Sequence, residues 1–313
     1  MSASVEPSPS SLPFSGNEIK RLGNRLRDGG RDLADIEMLE KWRTSYDPLL
    51  IEMSARVDDL LTSHKCRHLL SGRSKRTKSI IRKLQRQANH GMDLSRLGDL
   101  VGLRVLLSSV EEQERALQAL TENLEEKRIY DYRNGEKPYR SVHVIVRDGT
   151  RLVEIQLRTL PQHVWAVESE IFGEQVKEGD LSGDTGEYLR ALSGACTALD
   201  RGERPKEDEF KGTPLIEQRL PLSGLHSKLE EKFRCATGEC IESYVGATFL
   251  VVFDNELRQL LHNDQFMASE RSAAIDRYRW LSHQLSDSRF ETLIFNSSSS
   301  EALSVTHPRF FGL

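Results

Sequence analysis

The chain has 313 residues, 37% of them hydrophobic, with 44 basic and 48 acidic side chains for a net charge of −4. That length can bury a sizeable core and predicts a catalytic-size domain with a smaller one beside it, while the absence of a long apolar run or a signal-peptide core excludes a membrane span and points to the cytoplasm. Cys66, Cys196, Cys235 and Cys240 form no CxxC pair, which predicts a reducing compartment and no zinc site.

Residues 1 to 16, MSASVEPSPSSLPFSG, read as a disordered Ser/Pro-rich tail. From Asn17 to about Leu61 the spacing is helical, with Ile36, Leu39, Trp42, Leu49 and Leu50 placed to brace a sheet. From Leu60 to Met92 no acidic residue occurs, while Lys65, Arg67, Arg73, Lys75, Arg76, Lys78, Arg82, Lys83 and Arg86 all do. Cations segregated on an acidic chain predict a local polyanion site, phosphate above all. Gly72 reads as a break, followed by a helix with Ser79, Lys83 and Arg86 on one face and Ile80, Ile81 and Leu84 on the buried side. A purely surface basic helix, or one gripping nucleic acid nonspecifically, fits this segment equally well.

DLVGLRVLL, Asp99 to Leu107, predicts a central strand with a close backbone neighbour at Gly102 and with Arg104 interrupting the apolar run. Asp99 at its mouth is either a cap or, with Glu154, half of a two-carboxylate Mg²⁺ site. From Tyr139 to Thr159, YRSVHVIVRDGTRLVEIQLRT predicts two antiparallel strands around a turn. Val142, Val144, Val146, Val153, Ile155 and Leu157 then share the core face. Tyr139, Ser141, His143, Glu154, Gln156 and Arg158 share the other, an arrangement that implies a ligand rather than a solvated face. Thr159 caps the next helix, with Pro161 in its first turn, and the helix runs toward Lys177. In it Trp165 reads as core and His163 as structural.

After Lys177, EGDLSGDTGEY reads as a loop, Leu189 to Leu199 as helix, and Arg201 to Pro214 as a charged linker. A helix near Leu225 to Phe233, the strand ATFLVVF, a helix over Ala268 to Leu285, the strand FETLIF and a short serine-capped helix suggest a βαβ-like accessory unit. Tyr278 and Trp280 in its helix are expected in the core.

In this order GRSK…SIIRK (Arg73 to Lys83), DLVGLRV, YRSVH, EIQLRT and HVWA (His163 to Ala166) resemble the synthetase domain of the RelA/SpoT homologue family, which makes the alarmones ppGpp and pppGpp. The resemblance spans about residues 60 to 180. It implies an α+β fold, a mixed sheet flanked by helices of nucleotidyltransferase-like type. The boundaries expected are 17–200 for the synthetase domain, 201–216 for a linker and 217–313 for a small C-terminal α/β accessory region.

It further implies transfer of the β,γ-pyrophosphate of ATP to the ribose 3′-hydroxyl of GDP or GTP. By similarity Arg73 and Arg104 would stack on adenine, and Lys75, Ser79 and Lys83 would hold the ATP phosphates. Asp99 and Glu154 would bind Mg²⁺, with Glu154 also accepting the hydroxyl proton. Tyr139 would stack on the acceptor base, with Lys137, His143, Gln156 and Arg158 beside it.

Two segments depart from the family pattern. GEKPYRS stands where KPNGYRS is common, and WAVESE where WAxIEH is usual, so that Ser169 and Glu170 replace a glutamate and a histidine. These departures leave two further readings open: a toxin-type relative that modifies adenine nucleotides or the tRNA 3′ end, and a nucleotide-binding regulator without catalysis. No His-Asp dipeptide occurs, so the family's hydrolase domain is not expected, and related short synthetases lead us to expect a homo-oligomer.

Overall fold

The computed structural model describes residues 13–30, 32–86, 91–135, 137–172, 181–204, 222–237, 247–285 and 289–311. Three helices open the chain: α1 (Gly16–Arg27), α2 (Leu33–Thr44) and α3 (Asp47–Ser63). The Ser15 hydroxyl and Glu18 carboxylate cap each other's backbone at the start of α1, satisfying donors that the first turn leaves unpaired. Leu39, Trp42, Leu49 and Leu50 are buried against the sheet, as their spacing predicts.

Strands β1 (His68–Ser74), β2 (Val101–Leu107), β3 (Glu126–Asp131), β4 (Val142–Asp148), β5 (Arg151–Thr159), β6 (Ala247–Asp254), β7 (Gln259–Phe266) and β8 (Phe290–Ser297) form one eight-stranded sheet. Its order is β3-β4-β5-β2-β1-β8-β6-β7, and among these neighbours only β2 and β5 run parallel. The fold is α+β with a mixed sheet, as expected. Its helices include α4 (Thr77–Gln85), α5 (Val110–Asn123), α6 (Leu160–Ile171), α7 (Gly183–Asp200), α8 (Leu222–Ala236), α9 (Arg271–Gln284), α10 (Ser300–Thr306) and α11 (Pro308–Phe311).

Period-2 alternation divides the sheet's residues between two faces. Val101, Leu103, Val105 and Leu107 of β2 join Val142, Val144, Val146, Val153, Ile155 and Leu157 in the core under α1 to α5. On the other face Leu69 and Leu106 pack with Trp165 of α6, Leu189 of α7, Phe233 of α8 and Val305 of α10. Polar residues of β1, β2, β4 and β5 occupy the rest of that second face.

Gly72 is an interior residue of β1, not the break expected of it. A Cβ there would meet the Leu103 and Leu50 methyls at 2.7 and 2.8 Å, so glycine lets α3 lie close on the sheet. Helix α7 begins at Gly183, inside the segment read as a loop, because Tyr188, Leu189, Leu192 and Cys196 form a buried stripe that outweighs two glycines.

The C-terminal strands continue the main sheet, since β8 pairs with β1 from Ser71↔Ser297 to Arg73↔Phe295. The βαβ-like expectation fails because β7, a polar edge strand with no strong sequence pattern, reverses the chain before α9. Strand β8 therefore returns antiparallel to β6. Tyr278 is core, accepting from Arg43 Nη2 at 2.9 Å, but Trp280 is 53% exposed. Two residues along a helix is about 200° of rotation, which turns Trp280 away from the stripe of Ala274 and Tyr278. The expected tail and linker lie largely outside the described residues, as do Cys240 and the segment around Lys177.

Candidate functional site

A cavity of about 140 Å³ opens on the second face of the sheet, lined by Ser71, Arg73, Lys75, Asp99, Gly102, Arg104, Glu154, Gln156 and His307, with Leu103 beside them. The strand registers explain the convergence: Arg73 pairs with Gly102, Gly102 with Glu154, and Arg104 with Gln156, side by side across β1, β2 and β5. Gly102 leaves the floor open. A Cβ on it would touch only the Glu154 carbonyl, at 3.7 Å.

At one end, Asp99 Oδ2 accepts from Lys75 Nζ at 2.5 Å and from Lys83 Nζ at 2.7 Å. Lys83 comes from α4, whose apolar face of Ile80, Ile81 and Leu84 is buried as predicted. Asp99 Oδ1 is buried with no hydrogen-bond partner. Burial raises the Asp99 pKa, but the two ammoniums outweigh it and hold the carboxyl below its ordinary value. Burial lowers the Lys75 pKa, with Asp99 offsetting part of the shift.

The polar row of β4 and β5 closes into a ring of hydrogen bonds. Arg158 Nη2 donates to Gln156 Oε1 at 2.9 Å and to the Tyr139 hydroxyl at 3.1 Å. Gln156 Nε2 donates to Glu154 Oε2 at 2.8 Å, Glu154 Oε1 meets His143 Nδ1 at 3.0 Å, and His143 Nε2 meets the Tyr139 hydroxyl at 2.7 Å. Burial raises the Glu154 pKa, yet His143 more than reverses this and keeps the carboxyl below its ordinary range, so it is ionised at neutral pH. Tyr139 is brought down to about 8: burial raises it, but the Arg158 charge and His143 together outweigh that rise.

Tyr139 and Ser141 lie just before β4 rather than within it. The Tyr139 ring packs among Trp165 at 5.7 Å, Tyr132 at 5.5 Å and His143 at 5.7 Å, making it the base of an aromatic cluster more than a free shelf. Sequence reasoning missed Tyr132, which stacks on the half-exposed Tyr130 at 6.2 Å and 8°. The YDY alternation at the end of β3 was the available signal.

Arg104 is buried and donates through Nη1 to the Thr306 carbonyl, while Nη2 lies 3.7 Å from Glu170. Burial, together with the nearby Arg158 and Arg73 charges, brings its pKa down to about 9, so it remains charged at neutral pH. Glu170 thus reaches the site, whereas Glu168 accepts from Tyr188 and the Ser169 hydroxyl donates to the Ala166 carbonyl. His163 is structural, Nε2 contacting the Val305 carbonyl at 2.9 Å, and Trp165 donates its indole N–H to the Leu189 carbonyl. The Thr159 cap forms as predicted.

Of the residues singled out from sequence, Arg73, Lys75, Asp99, Arg104, Glu154 and Gln156 line the cavity. Lys83 reaches it through Asp99, and Tyr139, His143 and Arg158 through the hydrogen-bonded ring. Ser79 is half-buried on α4 and Lys137 exposed, neither among the lining residues. Thr306 and His307 reach the site from the C-terminus, which no local signal announces.

Residues 72–171, which carry most of this constellation, match the family model described as a region found in RelA / SpoT proteins. The chain thus carries a RelA/SpoT region over about a third of its length. Uncharacterised proteins of Mycobacterium bovis and Mycobacterium tuberculosis are 29% identical over 185 residues, which is 57% of this chain and 66% of theirs, so the match spans just under two thirds of those relatives. The solved small alarmone synthetase 1 from Bacillus subtilis bound to its product pppGpp is 22% identical with a TM-score of 0.46, over 53% of this chain and 94% of that one. A GTP pyrophosphokinase family protein from Streptococcus pneumoniae is 24% identical with a TM-score of 0.46, over 55% and 92%. The RelA/SpoT region ends at 171, well before Thr306 and His307.

Proposed function

We propose that the chain transfers the β,γ-pyrophosphate of ATP to the ribose 3′-hydroxyl of GDP or GTP. The observation that carries this reading is the meeting, in one cavity of a RelA/SpoT region, of two carboxylates from separate segments with the three cations Arg73, Lys75 and Arg104. The donor set suits Mg²⁺: Asp99 has a buried oxygen without a partner, Glu154 faces the same cavity, and hard oxygens are the ligands this ion takes. Bound there with the substrate phosphates, Mg²⁺ would neutralise charge developing on the transferred group.

The protein's own groups divide the remaining work. Lys75 and Lys83 place positive charge at the Asp99 end, where the ATP phosphates would lie, and Arg73 and Arg104 offer guanidinium faces for the base. His143 and Gln156 fix the Glu154 carboxylate so that it can accept the acceptor hydroxyl's proton. The aromatic cluster of Tyr132 and Tyr139 would receive the acceptor. Positioning and electrostatics supply most of the rate in such a transfer.

Terminally labelled ATP incubated with Mg²⁺ and GDP, GTP, ATP or tRNA tests this through the species that gains label. Label on GDP or GTP is expected. Label on adenine nucleotide or tRNA would replace the acceptor, and label on none would remove the transferase. A second test uses the open floor: Gly102→Val should fold, since its Cβ has room, but should fill the cavity and lower turnover roughly a hundredfold. Unchanged turnover in a folded variant would place the chemistry elsewhere.

A further inference from the structure

Three consecutive residues at the C-terminal end of α10 touch three elements around the cavity. The Val305 carbonyl meets His163 of α6, the Thr306 carbonyl accepts from Arg104 of β2, and His307 Nδ1 lies 3.5 Å from Ser71 Oγ of β1. His307 is 6% exposed, with its ring 4.5 Å from that of Phe295 and its Nδ1 3.1 Å from Thr306 Oγ1. The ring is therefore fixed by its Nδ1 edge. Nε2 has no hydrogen-bond partner among the described residues, although His307 lines the cavity beside Arg104.

The cavity is chemically polarised. Ammoniums and carboxylates gather at Lys75 and Asp99, an end suited to phosphates and metal. At the other end stand Arg104, whose two terminal nitrogens face the Thr306 carbonyl and, at 3.7 Å, Glu170, and an imidazole that burial and the surrounding arginines keep neutral. A guanidinium held by its edges presents a flat face to a planar partner. A neutral imidazole nitrogen adds one donor or one acceptor, according to tautomer. Together they suit a nucleobase, not a phosphate.

We propose that His307, from outside the RelA/SpoT region, is a specificity-determining residue of the donor pocket, its Nε2 meeting the polar edge of the purine that lies against Arg104. This rests on the reading of the cavity as a donor-nucleotide site. Glu170 and the Thr306 carbonyl act with it as positioning groups for Arg104, which gives the altered WAVESE segment and the C-terminal extension a shared purpose.

The test is equilibrium binding of non-hydrolysable ATP and GTP analogues to the full chain, comparing wild type with His307→Ala and His307→Asn, with circular dichroism to confirm folding. Wild type should prefer the adenine analogue. His307→Ala should bind it roughly tenfold more weakly and lose most of the preference for adenine over guanine, while His307→Asn, which retains a polar edge and disturbs packing less, should keep part of both. Wild type that binds neither analogue would overturn the donor-site reading itself. Binding in wild type with unchanged affinity and preference in the folded variants would overturn the role of His307 alone. Tighter binding in either variant would also overturn it, by showing that the C-terminal segment competes with the nucleotide.

Discussion

Replacing Glu154 with Gln is expected to lower turnover by roughly 10²- to 10⁴-fold, the range for losing a positioned general base, while leaving binding of an ATP analogue nearly intact. The amide cannot accept a proton at neutral pH. It also turns a donor toward either Gln156 Nε2 or His143 Nδ1, which the carboxylate now satisfies at 2.8 and 3.0 Å. The Glu154 carboxylate is hydrogen-bonded to His143 and Gln156, on the acceptor side, so the donor side of the cavity should keep its shape. Single-turnover kinetics beside analogue titration separates the two effects. Wild-type turnover in the variant would take Glu154 out of the chemistry, and equal loss of binding and turnover would confine it to holding the metal or the ring, without a role as base.

Asp99→Asn should be nearly as severe for a different reason. It removes one anionic oxygen pair from the proposed metal site and leaves the Lys75 and Lys83 ammoniums facing each other without the carboxylate they share. Turnover should fall roughly a hundredfold or more, and the Mg²⁺ concentration needed for half-activity should rise. The lost charge-assisted bonds should also reduce stability by about 1–3 kcal/mol. Because the Asp99 pKa is lowered in the folded chain, its contribution is fully present above its ordinary value of 3.8 and disappears as pH falls below it. Thermal melts should therefore separate wild type from variant at neutral pH and converge in strong acid. Wild-type Mg²⁺ dependence in a folded Asp99→Asn chain would exclude Asp99 as a ligand.

Local patterns carried the half of the site that lies on neighbouring residues. The alternation from Val142 to Leu157 set both the core face and the polar row because strand periodicity is a property of adjacent residues. The Thr159 cap and the buried side of α4 were equally local. Long-range pairing was not legible. Strand β8 docks on β1 more than 200 residues away in sequence, and nothing near Thr306 or His307 says that their partners are Arg104 and Ser71. The same limit hid β1 and β7: one was interrupted by a glycine that reads as a break, the other was hidden by the even polarity of a sheet edge. Trp280 shows a different failure, in which residue type suggested burial and helix phase decided against it.

The most direct test of the two-carboxylate site is a crystal structure of the chain with Mn²⁺ and a non-hydrolysable ATP analogue, with the metal located by its anomalous signal. One carboxylate oxygen from each of Asp99 and Glu154 is expected within about 2.3 Å of the metal, with the analogue's phosphates completing the shell. A metal held by phosphates alone, or by residues outside this cavity, would contradict the two-carboxylate site.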